Sequence, residues 1–248
     1  MPTLQRDIAT AMPTLHVILN KEALDPTLTQ NKIVIVLDIL FATSTIIHAF
    51  GEGIERIWPA LDRHDATLIA SSLDGPLLAG EHLGEPIPGF SASTPLGYDR
   101  SQHKELVYCT TNGTVALRRS AGAQQIYVGA LLNGSALVKH IVKTYPNESV
   151  LLVCSGSVGQ FNLEDFYGAG HFVAHFNKLA EYELSDAARA AGMLYESHDA
   201  NTVLNASRVG RIMKRVNLQH EIDHAAQRDI LDVIVRLEGE SLIRVPKS

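Results

Sequence analysis

"KIVIVLDIL", residues 32–40, decides how this chain is read. Five apolar residues run up to Asp38, and Ile39, Leu40 and Phe41 follow it. A short apolar run without alternation suits a strand covered on both faces, as in a sheet with helices above and below. Four further runs share this character: "ATLIASS" (66–72), "ELVYCTT" (105–111), "QQIYVGA" (124–130) and "SVLLVCSGS" (149–157). Helical candidates lie between them: "TSTIIHAFGEG" (43–53), "NGTVALRRSAGA" (112–123) and "NGSALVKHIVKTY" (133–145). The alternation predicts an α/β fold, a three-layer α/β/α domain with a largely parallel or mixed sheet. Residues 164–238 read as a mostly helical C-terminal region, with "DAARAAGMLYESH" and "QHEIDHAAQRDILDVIVRL" as its main helices.

The chain has 248 residues, 46% hydrophobic and 19% charged, as expected of a globular protein. "MPTL" occurs at 1–4 and again at 12–15, so residues 1–11 read as an extension and 12–248 as one domain. The net charge of −6 argues against a general nucleic-acid binder. No run approaches the ~20 apolar residues of a membrane span, and no secretory signal is evident. Two cysteines, Cys109 and Cys154, are too few for a disulfide framework and suit buried thiols. A cytoplasmic protein without a membrane partner is the expectation, and a homodimer is left open.

Three apolar runs end alike. "LDILFATST", "YCTTNGT" and "VCSGSVGQFN" each pass into Ser, Thr, Asn and Gly and then into a helix. Ligands of open α/β sheets bind beyond the carboxyl ends of strands, and helix N-termini favour anions. Thr43, Ser44 and Thr45, then Thr110, Thr111, Asn112, Gly113 and Thr114, then Ser155, Gly156 and Ser157 are the candidate anion-binding residues. Ordinary helix capping would use the same residue types. Asp38 is sharper. A carboxylate inside an apolar run is costly unless paired, hydrogen-bonded or bound to a cation. Glu164 and Asp165 follow the third run. Asn162 and Asp165 have the spacing of a capping box. Yet Asp38 with either acid also offers what Mg²⁺ wants, one or two carboxylates beside a substrate phosphate.

"IVLDILFATSTI", "GEHLGEPIPGFSASTPLGY", "YCTTNGTVAL" and "CSGSVGQFNLEDFYGAG" resemble, in this order, segments of the 2-phosphosulfolactate phosphatase family, from about His16 to about Asp229. The resemblance implies a cytosolic, Mg²⁺-dependent α/β phosphatase. Its substrate would be a small anionic phosphate ester, cleaved on the way to coenzyme M. Asp38, Glu164 and Asp165 would be its catalytic and metal residues, and Glu81 would join the substrate-binding set. There are departures. Phe41 and His82 stand where the family pattern has Arg. Ser91 and Ser93 replace Asp and Asn, and Val158 and Gln160 replace Asp and Arg. Arginine is the side chain suited to forked recognition of phosphate. The expectation is therefore an altered substrate or, as the alternative, a non-catalytic binding protein on the same scaffold.

Two other motifs are weaker. "CSGSVGQ" approaches the Cys-x5-Arg loop of cysteine phosphatases, but Gln160 takes the Arg position and leaves no cation to activate Cys154. "HEIDH", residues 220–224, spells a zinc-hydrolase helix with Glu221 as base. Its polar surroundings suit a solvated helix better.

Overall fold

The computed structural model describes residues 12–97 and 103–246; the expected extension, 1–11, lies outside them. Among the described residues, eleven strands form one sheet. They are β1 (Thr14–Ile18), β2 (Ile33–Leu37), β3 (Arg56–Ala60), β4 (Leu77–His82), β5 (Glu85–Pro86), β6 (Glu105–Cys109), β7 (Gln125–Gly129), β8 (Val150–Cys154), β9 (Glu183–Leu184), β10 (Val235–Glu238) and β11 (Ser241–Arg244). The helices are α1 (Pro26–Thr29), α2 (Ala42–Gly51), α3 (Arg63–Ser71), α4 (Gly113–Arg119), α5 (Gly134–Thr144), α6 (Leu163–Leu179), α7 (Asp186–Ser197), α8 (Ala200–Ala206), α9 (Arg208–Arg215) and α10 (Gln219–Ala225). None of the described helices is long and apolar enough to cross a membrane.

The strand order is β5-β4-β6-β3-β11-β10-β7-β2-β8-β1-β9. β4, β6 and β3 form one parallel block, and β7, β2, β8, β1 and β9 form another. The β10–β11 hairpin joins them through three antiparallel pairings in succession. Three reversals make the two blocks run in opposite senses. Their carboxyl ends nevertheless meet: a Cβ on Gly113, after β6, would lie 3.0 Å from Asp38 Oδ2, after β2. Val34 and Val36 of β2 share one core cluster with Leu106 and Tyr108 of β6 and with Ile46, Ile47 and Phe50 of α2.

The opposite face is filled block by block. Ile33, Ile35 and Leu37 pack toward Leu137 of α5 and Phe172 and Phe176 of α6, while Val107 and Cys109 pack toward Ala66 of α3. This is the expected three-layer α/β/α architecture, with a mixed sheet. Helices α8–α10 close over Ile39, Leu40 and Phe41 in a further cluster.

Two expectations are corrected. "ATLIASS" is not a strand but falls largely in α3. Asp62 accepts the N–H of Asp65 at 2.8 Å, and Asp65 accepts that of Leu61 at 2.9 Å, which starts a helix. Its apolar residues are not a core run, since Leu68 is 56% exposed. The tail is not helical to residue 238. Helix α10 stops at Ala225, and β10 and β11 turn back through Gly239 at φ +60°.

Candidate active site

Asp38 directly follows β2. Thr43 locks its backbone: the Thr43 hydroxyl donates to the Asp38 carbonyl at 3.0 Å and accepts the Asp38 N–H at 3.0 Å. The Ser44 hydroxyl donates to the Ile39 carbonyl at 2.9 Å, and that of Thr45 to the Ser93 carbonyl at 2.9 Å. All three hydroxyls of this loop thus serve the backbone. The Asp38 carboxylate keeps one long contact, from the Ala42 N–H at 3.4 Å. Gly113 opens α4 against it; a Cβ there would lie 3.0 Å from Asp38 Oδ2 and 2.4 Å from the Ala42 Cβ.

The two acids of α6 behave differently. Asp165 accepts the N–H of Ile39 at 2.9 Å and of Gly156 at 3.1 Å. It does not take part in a capping box. Asn162, the N-cap residue, makes no side-chain cap bond and instead accepts from Arg208 Nη2 at 3.2 Å. Glu164 is 1% exposed, and neither carboxylate oxygen has a hydrogen bond of ordinary geometry, although Ser207 and Arg208 lie close enough to favour its charge. Burial pushes the Asp38 pKa up to about 7, helped by the charges of Glu81 and Glu164. Burial also raises Glu164, and burial with the charges of Asp38 and Glu164 raises Asp165 well above the carboxylate range.

Across from β2, Glu81 ties two loops together. It accepts the Thr111 N–H at 2.6 Å, the Gly84 N–H at 2.6 Å and the Thr111 hydroxyl at 3.2 Å. The Thr114 hydroxyl donates to the Thr110 carbonyl at 2.7 Å. Asn112 accepts from Lys21 Nζ at 2.8 Å. Lys21 is only 5% exposed and reaches toward the Ser155 carbonyl at 3.4 Å.

Between these loops lies a cavity of about 400 Å³. Asp38, Glu81, Thr110, Thr111, Asn112 and Ser157 are on its wall. Thr43, Ser44, Thr45, Gly113, Thr114, Ser155, Gly156, Glu164 and Asp165 are not on that wall. Arg208 is the one Lys or Arg on the wall among the described residues.

Neither Lys21 nor Arg208 was picked out from sequence. Lys21 had one signal, a polar Asn-Lys pair ending the run "TLHVIL". Arg208 had none, since an Arg after a Ser on a polar helix is commonplace.

The departures divide by position. Phe41 is buried among Leu40, Tyr167 and Val209 and also faces the cavity. Val158 stands 71% exposed on the rim at φ +53°. His82 and Gln160 are exposed and off the wall. Cys154 is fully buried, which pushes its thiol well above its usual pKa; burial takes Cys109 up to about 12. Neither suits a nucleophile. The HEIDH residues also part company. Glu221 is buried and accepts from the Thr94 hydroxyl at 2.6 Å and the Leu96 N–H at 2.9 Å. His224 meets His48 at 3.0 Å, while His220 is exposed. Glu221 here anchors a loop.

A family model described as 2-phosphosulpholactate phosphatase matches residues 18–240. The chain belongs to the 2-phosphosulfolactate phosphatase family. A relative from Carboxydothermus hydrogenoformans, described as a probable 2-phosphosulfolactate phosphatase, is 33% identical over 83% of this chain and 86% of its own length. Proteins of the same description from Clostridium novyi and Clostridium beijerinckii are 31% and 30% identical. They cover 83% and 89% of this chain, and 88% and 94% of their own lengths. Membership in this phosphatase family agrees with a phosphoric monoester hydrolase.

Proposed function

We propose that the cavity hydrolyses a small anionic phosphate monoester, with 2-phosphosulfolactate or a less charged relative as substrate, and that it requires Mg²⁺. One observation carries the reading: a buried acid with a pKa near 7, Asp38, shares the cavity wall with a lone guanidinium, Arg208. A hard cation fits the donor set. Asp38 has one long hydrogen bond and Glu164 none of ordinary geometry, so both keep lone pairs for it, whereas Asp165 has both oxygens engaged. When bound, Mg²⁺ supplies positive charge for the phosphoryl oxygens.

The chain's own residues supply the rest. The Arg208 fork holds phosphate oxygens, while Asn162 orients it from 3.2 Å. Asp38 takes a proton from the attacking water, a role suited to an acid near neutrality. The water oxygen bonds to phosphorus, the ester P–O bond breaks, and the proton becomes available to the leaving alkoxide. Phe41 places apolar surface where the family pattern has Arg, which supports a substrate with fewer charges.

The test is phosphate release from 2-phosphosulfolactate and a panel of monoesters, each with Mg²⁺, with Zn²⁺ and with EDTA. Turnover with Mg²⁺ that EDTA abolishes is expected. A folded protein that releases no phosphate from any ester, yet binds these anions, would replace the reading with the binding-protein alternative.

A further inference from the structure

Two turns beyond its acidic start, α6 carries His171 and His175, four residues apart and therefore on one face. Asp229, between α10 and β10, comes to meet them. His171 Nε2 lies 3.3 Å from Asp229 Oδ1, and His175 Nε2 lies 3.1 Å from Asp229 Oδ2. Among the described residues this is the set of His, Cys, Asp and Glu whose ligand atoms gather within 4.8 Å of one another. The phosphatase reading uses none of the three.

We propose that His171, His175 and Asp229 form a binding site for a first-row transition metal, zinc foremost, separate from the phosphate cavity. The separations allow it: each imidazole faces one Asp229 oxygen, and one ligand atom from each residue lies within 4.8 Å of the others. Ligands about 2.0–2.1 Å from a tetrahedral ion stand roughly 3.3 Å apart. His171 Nε2 is buried and lacks an aligned hydrogen bond, so it points at the carboxylate without being satisfied by it. Gly134, opening α5, keeps the space beside it free: a Cβ there would fall 2.3 Å from Nε2.

The surroundings orient the ligands. His171 Nδ1 lies 3.2 Å from the Tyr195 hydroxyl, which also accepts from Arg228 Nη1 at 3.2 Å. With a metal on Nε2, Nδ1–H donates to that oxygen, the support metal-bound imidazoles usually have. Asp229 Oδ1 accepts the Ser135 N–H at 2.6 Å. His171 is buried but His175 and Asp229 are partly open, which leaves a fourth position for water. Two imidazoles and one carboxylate favour zinc over Mg²⁺. Ten residues of helix, about 15 Å, separate His175 from Asp165.

Calorimetric titration of metal-stripped protein with Zn²⁺, and absorption spectra with Co²⁺, test the proposal. One equivalent should bind, millimolar Mg²⁺ should not compete, and the Co²⁺ bands should have the intensity of a low-coordinate nitrogen site. His175→Ala and Asp229→Asn should each lower affinity at least about a hundredfold, since even supporting residues are worth ten to a hundred. Asp38→Asn should leave it unchanged. Asp229→Asn keeps an acceptor for Ser135, so it tests the site even if His175→Ala unfolds. Absence of saturable Zn²⁺ binding, or binding that survives in folded Asp229→Asn protein, overturns the proposal.

Discussion

The carboxylate of Asp165 accepts the backbone N–H of Ile39 at 2.9 Å, one residue beyond Asp38 and 126 positions away in sequence. Its other oxygen holds the N–H of Gly156, so the start of α6 fixes the ends of β2 and β8 together. With an N–H on each oxygen, Asp165 is the acid of the trio best arranged to carry charge. Burial and the charges of Asp38 and Glu164 oppose this and hold its pKa well above the usual carboxylate value.

Asp165→Asn turns an amide NH₂ against one of these N–H groups. It should cost about 1–3 kcal/mol, the usual penalty for a buried group left unpaired, and lower turnover by displacing Asp38. Urea unfolding beside activity measures both. Unchanged stability would remove the tie from the account.

Stability should fall as pH rises. The folded state holds the Asp38 proton to about pH 7, whereas an unfolded Asp loses it near 3.8. This contribution is complete below about pH 4 and is lost on approaching pH 7. Glu164 and Asp165, also raised, act in the same direction. Metal-free protein should resist urea better at pH 5.5 than at pH 8, by a few kcal/mol. A flat profile would mean the acids are not buried as charges.

Asp38→Asn should reduce kcat at least about a hundredfold while the protein stays folded. It should also raise stability at pH 8, because it removes a charge held out of water. Wild-type turnover in the folded variant would deny Asp38 its role.

Val158 and Gly159 sit at φ +53° and +70° in a two-residue turn closed by Ser157 and Gln160, each donating to the other at 3.0 Å. Such turns favour Asn-Gly, and a β-branched residue there is strained. Val158→Asn should raise stability by about 1 kcal/mol. From the cavity rim it should alter KM more than kcat. A lower melting temperature would refute the strain.

The missing arginines can be restored singly. Phe41→Arg buries a charge among Leu40, Tyr167 and Val209 and should destabilise by about 2 kcal/mol or more. Gln160→Arg lies on an exposed turn and should leave stability alone while improving kcat/KM for 2-phosphosulfolactate by about tenfold. Efficient wild-type turnover of that ester, with no gain from Gln160→Arg, would show that the departures are neutral.

Strands β2, β6, β7 and β8 were legible because both their faces are covered, so apolar residues run on without interruption. β3 was not: "RIWPA" opens on an exposed Arg and contains a proline. β10 and β11 were hidden because "DVIVRL" continues a helical pattern without a break. Asp38 could be read as a site from its cost alone. The two jobs of Asp165 could not, since a capping acid and a cross-strand tie look the same in sequence. Spacing likewise drew zinc to HEIDH, whereas Asp229 joins His171 and His175 only through the fold.

The β10–β11 hairpin has a consequence for how the protein is made. It follows every other strand in sequence, yet it occupies the middle of the sheet. As the chain leaves the ribosome, the strands of both parallel blocks emerge before the hairpin that pairs with them, so β3 and β7 each lack one strand partner until it arrives. The cavity draws one wall from each block, and the hairpin completes the sheet that carries both walls. Until then those two edges are where a nascent chain is most open to pairing with the wrong partner.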